Sequence, residues 1–269
     1  MVTTKRQSPL NYVFAIGKVR ALERFLIRPE VFEEAIEANL SEALRLFAEA
    51  DLYSEELLRV KDSSQLEALL AQESLKLKKL MQDLILDKEL LGLLEDNTLQ
   101  CASEIIKSYP SEFLHNYLLH VIDMHNIKTF MRLFVLQEPK EALERLIAYE
   151  GYIKKDTFVA LYQKELAAFL HRLEYVHAHN RVIDYLSFLK EGIEKAVADK
   201  AFMALEKAMH DFLIHVLKPA KYMSFGPEPV LAYYFAKINE INLMRMIILS
   251  KFNNIAVDLV KERLNAVYA

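Results

Sequence analysis

A chain of 269 residues with 53% hydrophobic content has the material for a sizeable core, as one large domain or two to three small ones, which excludes a disordered chain. Only 5 glycines and 7 prolines are too few for the turns of a sandwich, barrel or propeller, and a net charge of -4 leaves no basic footprint for nucleic acid. Cys101 is the single cysteine, so there is no internal disulfide and no cysteine-based zinc cluster, which suits a reducing compartment.

The N-terminus, Met1 to Pro9, is polar (Thr3, Thr4, Lys5, Arg6, Gln7, Ser8) and lacks the apolar stretch of a signal peptide. A first long helix is expected from Tyr12. Val31, Ala35, Leu40, Leu44 and Phe47 form an apolar stripe at helical spacing. Ser64 and Glu67 read as a capping box ahead of a leucine stripe through Leu66, Leu69, Leu70, Leu77, Leu80, Leu84, Leu91 and Leu94. A second long helix is expected from Tyr117, a third stripe runs through Phe202, Leu205, Met209, Phe212, Leu213 and Val216, and another long helix starts at Tyr233. Breaks fall at Pro29, residues 62–64, Pro110-Ser111, Glu138-Pro139, Glu150-Gly151, Pro219 and residues 226–229. The pattern predicts an all-α fold of about a dozen helices with no confident strand. No stretch reaches the ~18 uncharged apolar residues of a membrane span. The nearest, Leu231 to Leu249, is interrupted by Lys237, Glu240 and Arg245, so a soluble chain with no direct membrane span is expected.

The long helices resemble one another. At an offset of 116, Tyr117 meets Tyr233, Ile122 meets Ile238, Asp123 meets Asn239, Asn126 meets Asn242 and Ile127 meets Leu243. The first helix aligns more weakly: Tyr12, Phe14, Ala15, Leu22 and Arg24 meet Tyr233, Phe235, Ala236, Leu243 and Arg245. Flanking helices repeat too, with Phe32, Leu40 and Leu44 matching Phe158, Leu166 and Leu170, and Leu66-Glu67 matching Leu205-Glu206. Three divergent units are expected, at residues 1–62, 63–198 and 199–269. Such units either surround a pseudo-threefold axis as a funnel or stack as a curved solenoid, and both shapes serve binding. Asn126 and Asn242 need partners if buried, a structural role.

Candidate chemistry is sparse. There is no G-x-x-x-x-G-K-[ST] or G-x-G-x-x-G, so a nucleotide engine is not expected. Glu174-Tyr175-Val176-His177 is a single E-x-x-H where a di-iron bundle needs two, and His177 and His179 point to different faces of a helix. His115, His120 and His125 drift around their helix, as do His210 and His215. Glu33-Glu34 and Glu55-Glu56 read as solvated faces, as does Lys76, Lys78 and Lys79. Tyr233, Tyr234 and Phe235 are consecutive and cannot all be core, so one is expected to face a cup or a partner.

Several runs carry a family resemblance. Residues 226–245, from Gly226-Pro227-Glu228-Pro229 through Tyr233-Tyr234-Phe235-Ala236 to Asn242-Leu243-Met244-Arg245, resemble the C-terminal signature of the C subunits of the V-type/A-type ATPases, known as d subunits in eukaryotes. Val121 to Arg132 resembles that family's central long helix, Leu146 to Ile153 the turn after it, and Tyr12-Val13-Phe14-Ala15 with Val19 to Glu23 its N-terminus. The chain departs from the family at Ala148-Tyr149-Glu150-Gly151, where Pro-Gly-Gly is usual, and it is short for the family, which implies one trimmed helical segment in the first unit. The resemblance implies three helical units in a funnel, one end on the membrane rotor ring and the cup holding the foot of the central stalk. It implies a non-catalytic adaptor without cofactor or metal, cytoplasmic and peripheral to the membrane through its partners, the central-stalk subunits and the rotor ring. Tyr12, Tyr117, Asp123, Asn126, Tyr233, Asn239, Asn242 and Arg245 are its repeat-signature positions, with no catalytic residue. The alternatives are a helical-repeat scaffold with a concave groove and a metal-binding helical-bundle enzyme.

Overall fold

A computed structural model describes residues 6–50, 55–95, 98–162, 164–178 and 181–269. In chain order the helices are α1 (Val13–Glu23), α2 (Pro29–Glu37), α3 (Leu40–Ala50), α4 (Ser63–Leu84), α5 (Thr98–Ser108), α6 (Glu112–Leu136), α7 (Lys140–Leu146), α8 (Lys155–Tyr162), α9 (Leu166–Glu174), α10 (Leu186–Asp199), α11 (Met203–Leu217), α12 (Glu228–Phe252) and α13 (Val257–Lys261). Short 3-10 turns cover Pro9–Tyr12, Leu57–Arg59, Lys88–Leu94 and Lys218–Tyr222. The described chain is all-helical except for one small antiparallel pair, β1 (Val176–Ala178) and β2 (Arg181–Ile183), with His177 opposite Val182. A three-residue strand is too short for an alternating pattern to announce itself.

The described helices fall into two compact units, residues 1–91 with 217–269, and residues 92–216. In the first, α12 is the central rod against which α1, α2, α3 and α4 pack. It is enclosed on most sides, so Tyr233 and Tyr234 are both buried and Phe235 is half-buried. Of the three, only Phe235 keeps part of its surface open. Around it lie Phe32 and Phe47, whose ring centroids are 5.6 Å apart, with Leu66, Leu70 and Met81. Glu240 accepts from the Ile27 amide at 2.6 Å and pairs with Lys237, fastening the turn after α1 to the rod. Lys251 caps α2 by donating to the carbonyls of Ile36 and Ala38.

The cap of α4 sits two residues earlier than the capping box suggested. Asp62, not Ser64, is the N-cap, accepting from the Gln65 amide at 2.9 Å. The leucine stripe also divides: it stays on α4 only to Leu84, and Leu91 and Leu94 belong to the 3-10 turn. Both long helices begin earlier than Tyr117 and Tyr233. Glu112 opens α6 behind the cap Ser111, whose hydroxyl accepts from the Leu114 amide at 3.2 Å, and Glu228 opens α12 behind Pro227. Both starts follow directly on the expected breaks at Pro110-Ser111 and residues 226–229.

The unit of residues 92–216 has an aromatic core. Phe130 of α6 stacks on Phe169 of α9 with centroids 3.9 Å apart, and Phe158 and Tyr162 of α8 close around it. Leu173, Val176, Tyr185, Leu189, Ile193, Leu205 and Phe212 complete the core.

Gly17 lies mid-helix on the outward side of α1, and a methyl group added there would meet nothing within 4 Å. Glycine weakens a helix relative to alanine, so Gly17→Ala is expected to raise stability by about 0.5–1 kcal/mol, read from a denaturant midpoint.

Candidate functional site

Each of the two 25-residue helices, α6 and α12, is followed by a short helix and then by a segment that returns across it, whereas α1, expected as a long helix from Tyr12, has only 11 residues. After α6 the chain reverses at Gln137, which has the left-handed φ of 57°, forms α7, and returns through residues 147–153. After α12 it reverses at Asn254, φ 51°, forms α13, and returns through residues 264–268. Glu112 and Glu228 stand at the offset that aligns Tyr117 with Tyr233, as do Leu136 and Phe252.

The returning segment is strapped to the middle of the rod by the signature positions. Asp123, fully buried, accepts from the Tyr152 amide at 3.0 Å and the Ile153 amide at 3.1 Å. Asn126 donates to the Tyr149 carbonyl at 2.9 Å. In the other unit Asn239, at the position of Asp123, donates to the Ala266 carbonyl at 3.1 Å. Asn242 is exposed and accepts from Arg245 at 2.7 Å, so the partner requirement falls on Asn126 alone. Tyr117 and Tyr233 are buried in their rods, and the Tyr12 hydroxyl accepts from the Leu86 and Asp87 amides and donates to Asp87, each at 3.0 Å. Arg245 also reaches Glu67 at 3.1 Å, while Arg132 of α6 pairs with Glu206. The Leu66-Glu67 and Leu205-Glu206 match is therefore mirrored in two ion pairs, which are part-exposed and contribute little energy.

Sequence reasoning did not find the rest of the Asp123 hub. Tyr185 donates its hydroxyl to Asp123 at 2.8 Å, and His120 Nδ1 lies 2.8 Å from that hydroxyl. Because the hydroxyl proton goes to the carboxylate, Nδ1–H of His120 must be the donor. Tyr152 reaches Asn116 through its own hydroxyl, and its ring lies 5.2 Å from that of His120. One signal was available: Tyr152 and Tyr268 share the offset of the long helices, and both are strap residues.

Burial dominates the electrostatics here. It drives the His120 pKa down to about 4, helped by Arg181, and pushes Asp123 up to about 7, against the pull of the Tyr185 hydroxyl and the Ile153 and Tyr152 amides. A depressed histidine contributes stability that is present above its unfolded value of 6.5 and lost as the pH falls through about 4. Asp123 acts oppositely: its contribution is present below 3.8 and lost as the pH rises through about 7. His120→Asn keeps a donor near the Nδ1 position but does not titrate. It is expected to flatten the acid limb of the stability profile by on the order of 1–3 kcal/mol, measured by urea unfolding across pH.

The other described histidines do not gather with a third ligand-type side chain. His115 meets the Tyr109 carbonyl, and His125 and His210 border a shallow cleft of about 170 Å³ with Lys128 and Glu206 between α6 and α11. His177 is exposed on β1, and His179 lies outside the described residues. Among the described residues no group of three His, Cys, Asp or Glu side chains converges as a metal site. None of the described helices is long and apolar enough to cross a membrane.

These features define an all-helical protein built on a repeated rod, short helix and strap, whose buried polar groups fasten backbone to backbone. Residues 81–263 match the family described as ATP synthase (C/AC39) subunit, and the chain belongs to that family. It is similar to the C subunit of the V-type sodium ATPase of Enterococcus hirae, with 30% identity over 160 residues that make up 60% of this chain and 45% of that protein. The chain thus spans about half the length of this curated relative.

Proposed function

We propose that this chain is a non-catalytic adaptor of a V/A-type ion-translocating ATPase, joining the central stalk to the membrane rotor ring. Family membership over residues 81–263 carries the reading. In this role it works as a rigid coupler at the membrane surface on the cytoplasmic side, held there by its partners. Three related units, residues 1–62, 63–198 and 199–269, surround a pseudo-threefold axis and leave a cup for the stalk. The equal spacing of the two rod-and-strap repeats, and the weaker match of the helix at Tyr12, support that arrangement.

The test is reconstitution. The purified chain is mixed with stalk subunits and with detergent-solubilised ring from the same source, and complexes are separated by size exclusion. A complex containing all three is expected, with no ATP hydrolysis by the chain alone. Failure to bind either partner, or turnover by the isolated chain, rejects the reading.

A further inference from the structure

The outward face of α1 is apolar, and the charge around it is opposite to that of the protein as a whole. At about 100° per residue, Phe14, Gly17 and Ala21 fall on one narrow stripe of α1, with Leu10 in the 3-10 turn before it and Phe25 in the turn after it. All five are exposed, Leu10 by 63% and Phe14 by 78%. The segment 218–226 lies alongside: Gly226 donates its amide to the Pro9 carbonyl at 3.1 Å, and Arg20 reaches the carbonyls of Ala220 and Met223 at 2.9 and 3.0 Å. These bonds, to Pro9 in the 3-10 turn and from Arg20 on α1, hold the segment beside α1, and it adds Phe225 and Tyr222, the latter 87% exposed.

Residues 6–28 and 218–227 carry Arg6, Lys18, Arg20, Arg24, Arg28, Lys218 and Lys221 against one acid, Glu23. Glu23 is taken by Arg20 at 2.7 Å and Arg6 pairs with Glu89 at 3.0 Å, so the positive excess rests on Lys18, Arg24, Arg28, Lys218 and Lys221. A chain of net charge -4 therefore gathers positive charge around its most exposed apolar stripe. Gly17 and Ala21 stand one turn apart at the centre of that stripe, between Leu10 and Phe14 on one side and Phe25 on the other. They leave a shallow notch, and the open space over Gly17 admits another backbone closely. A lipid surface has no use for a notch. A helix does, because its ridge fits between flanking bulky residues.

We infer that this face docks an α-helix of a partner protein, apolar along one stripe and flanked by Asp and Glu. The inference stands on the chemistry of this surface and does not depend on which assembly the chain joins. Apolar burial holds the helix, while Lys18 on one flank and Arg24 and Lys218 on the other select acidic neighbours and set its orientation.

The test uses the full chain and two synthetic helices with the same Leu/Ala stripe, one flanked by glutamates and one by lysines, with phosphatidylglycerol vesicles as a third probe. By fluorescence anisotropy the glutamate helix is expected to bind about tenfold more tightly than the lysine helix, and to weaken with added salt. Gly17→Leu fills the notch and is expected to weaken binding about tenfold, with a melting temperature at or above the parent's. Lys18→Glu combined with Lys218→Glu is expected to abolish the preference for glutamate. Equal binding of the two helices, no binding of the glutamate helix, or full affinity in Gly17→Leu overturns the inference. So does stronger attachment to the vesicles than to the helix, or a dimer of the parent chain that Phe14→Asp dissociates.

Discussion

Gly151→Ala is expected to destabilise the unit of residues 92–216 by about 2–4 kcal/mol, because the strap passes so close to α6 that no side chain fits beneath it. A methyl group at Gly151 would lie 2.3 Å from Asp123 Oδ1, 2.6 Å from its Cγ and 2.7 Å from the Leu119 carbonyl oxygen. The last contact is with helix backbone, which cannot swing aside. The strap must lift, and lifting it lengthens the bonds from the Tyr152 and Ile153 amides to Asp123. Urea unfolding measures the loss. Hydrogen exchange adds a local reading: the amides of Tyr152 and Ile153 are expected to lose protection first, while those of α12 stay as they were. Unchanged protection at those two amides would show that the close approach carries no load.

Asp123→Ala is expected to cost about 3–5 kcal/mol, since it leaves the buried Ile153 amide, the part-buried Tyr152 amide and the Tyr185 hydroxyl without their acceptor, each such loss being worth about 1–3 kcal/mol before relaxation. Asp123→Asn is expected to cost less, because one amide oxygen still accepts, and Asn239 already occupies the matching position of the other unit. The two changes are not independent. Removing the carboxylate takes away part of the clash that a residue larger than glycine creates at 151, so Asp123→Ala with Gly151→Ala is expected to cost less than the two separately. A double-mutant cycle by urea unfolding checks this, and strict additivity would argue against a shared strap.

The resemblance of the long helices was readable because it lay in polar residues. Asp123, Asn126 and Asn239 interrupt apolar helices, and each proves to hold a returning backbone segment. The helix starts were less readable. The breaks at Pro110-Ser111 and residues 226–229 stand just ahead of both starts, yet the repeat itself is legible only from Tyr117 and Tyr233, the first matching aromatics, five residues into each rod. Asp62 was hidden beside Ser63 and Ser64, three consecutive residues any of which can cap. The hub around Asp123 was out of reach for another reason. His120 lies one turn from Asp123, but Tyr185 lies 62 positions away, and only packing brings the two together.

The straps grip near the middle of 25-residue rods, at Asp123 and Asn239. A beam supported only at its ends bows most at its centre, and the centre is where these are tied. A sideways push on either end is thereby converted into tension in a few short polar bonds. Such a helix meets a sideways load with its packing and its tether together.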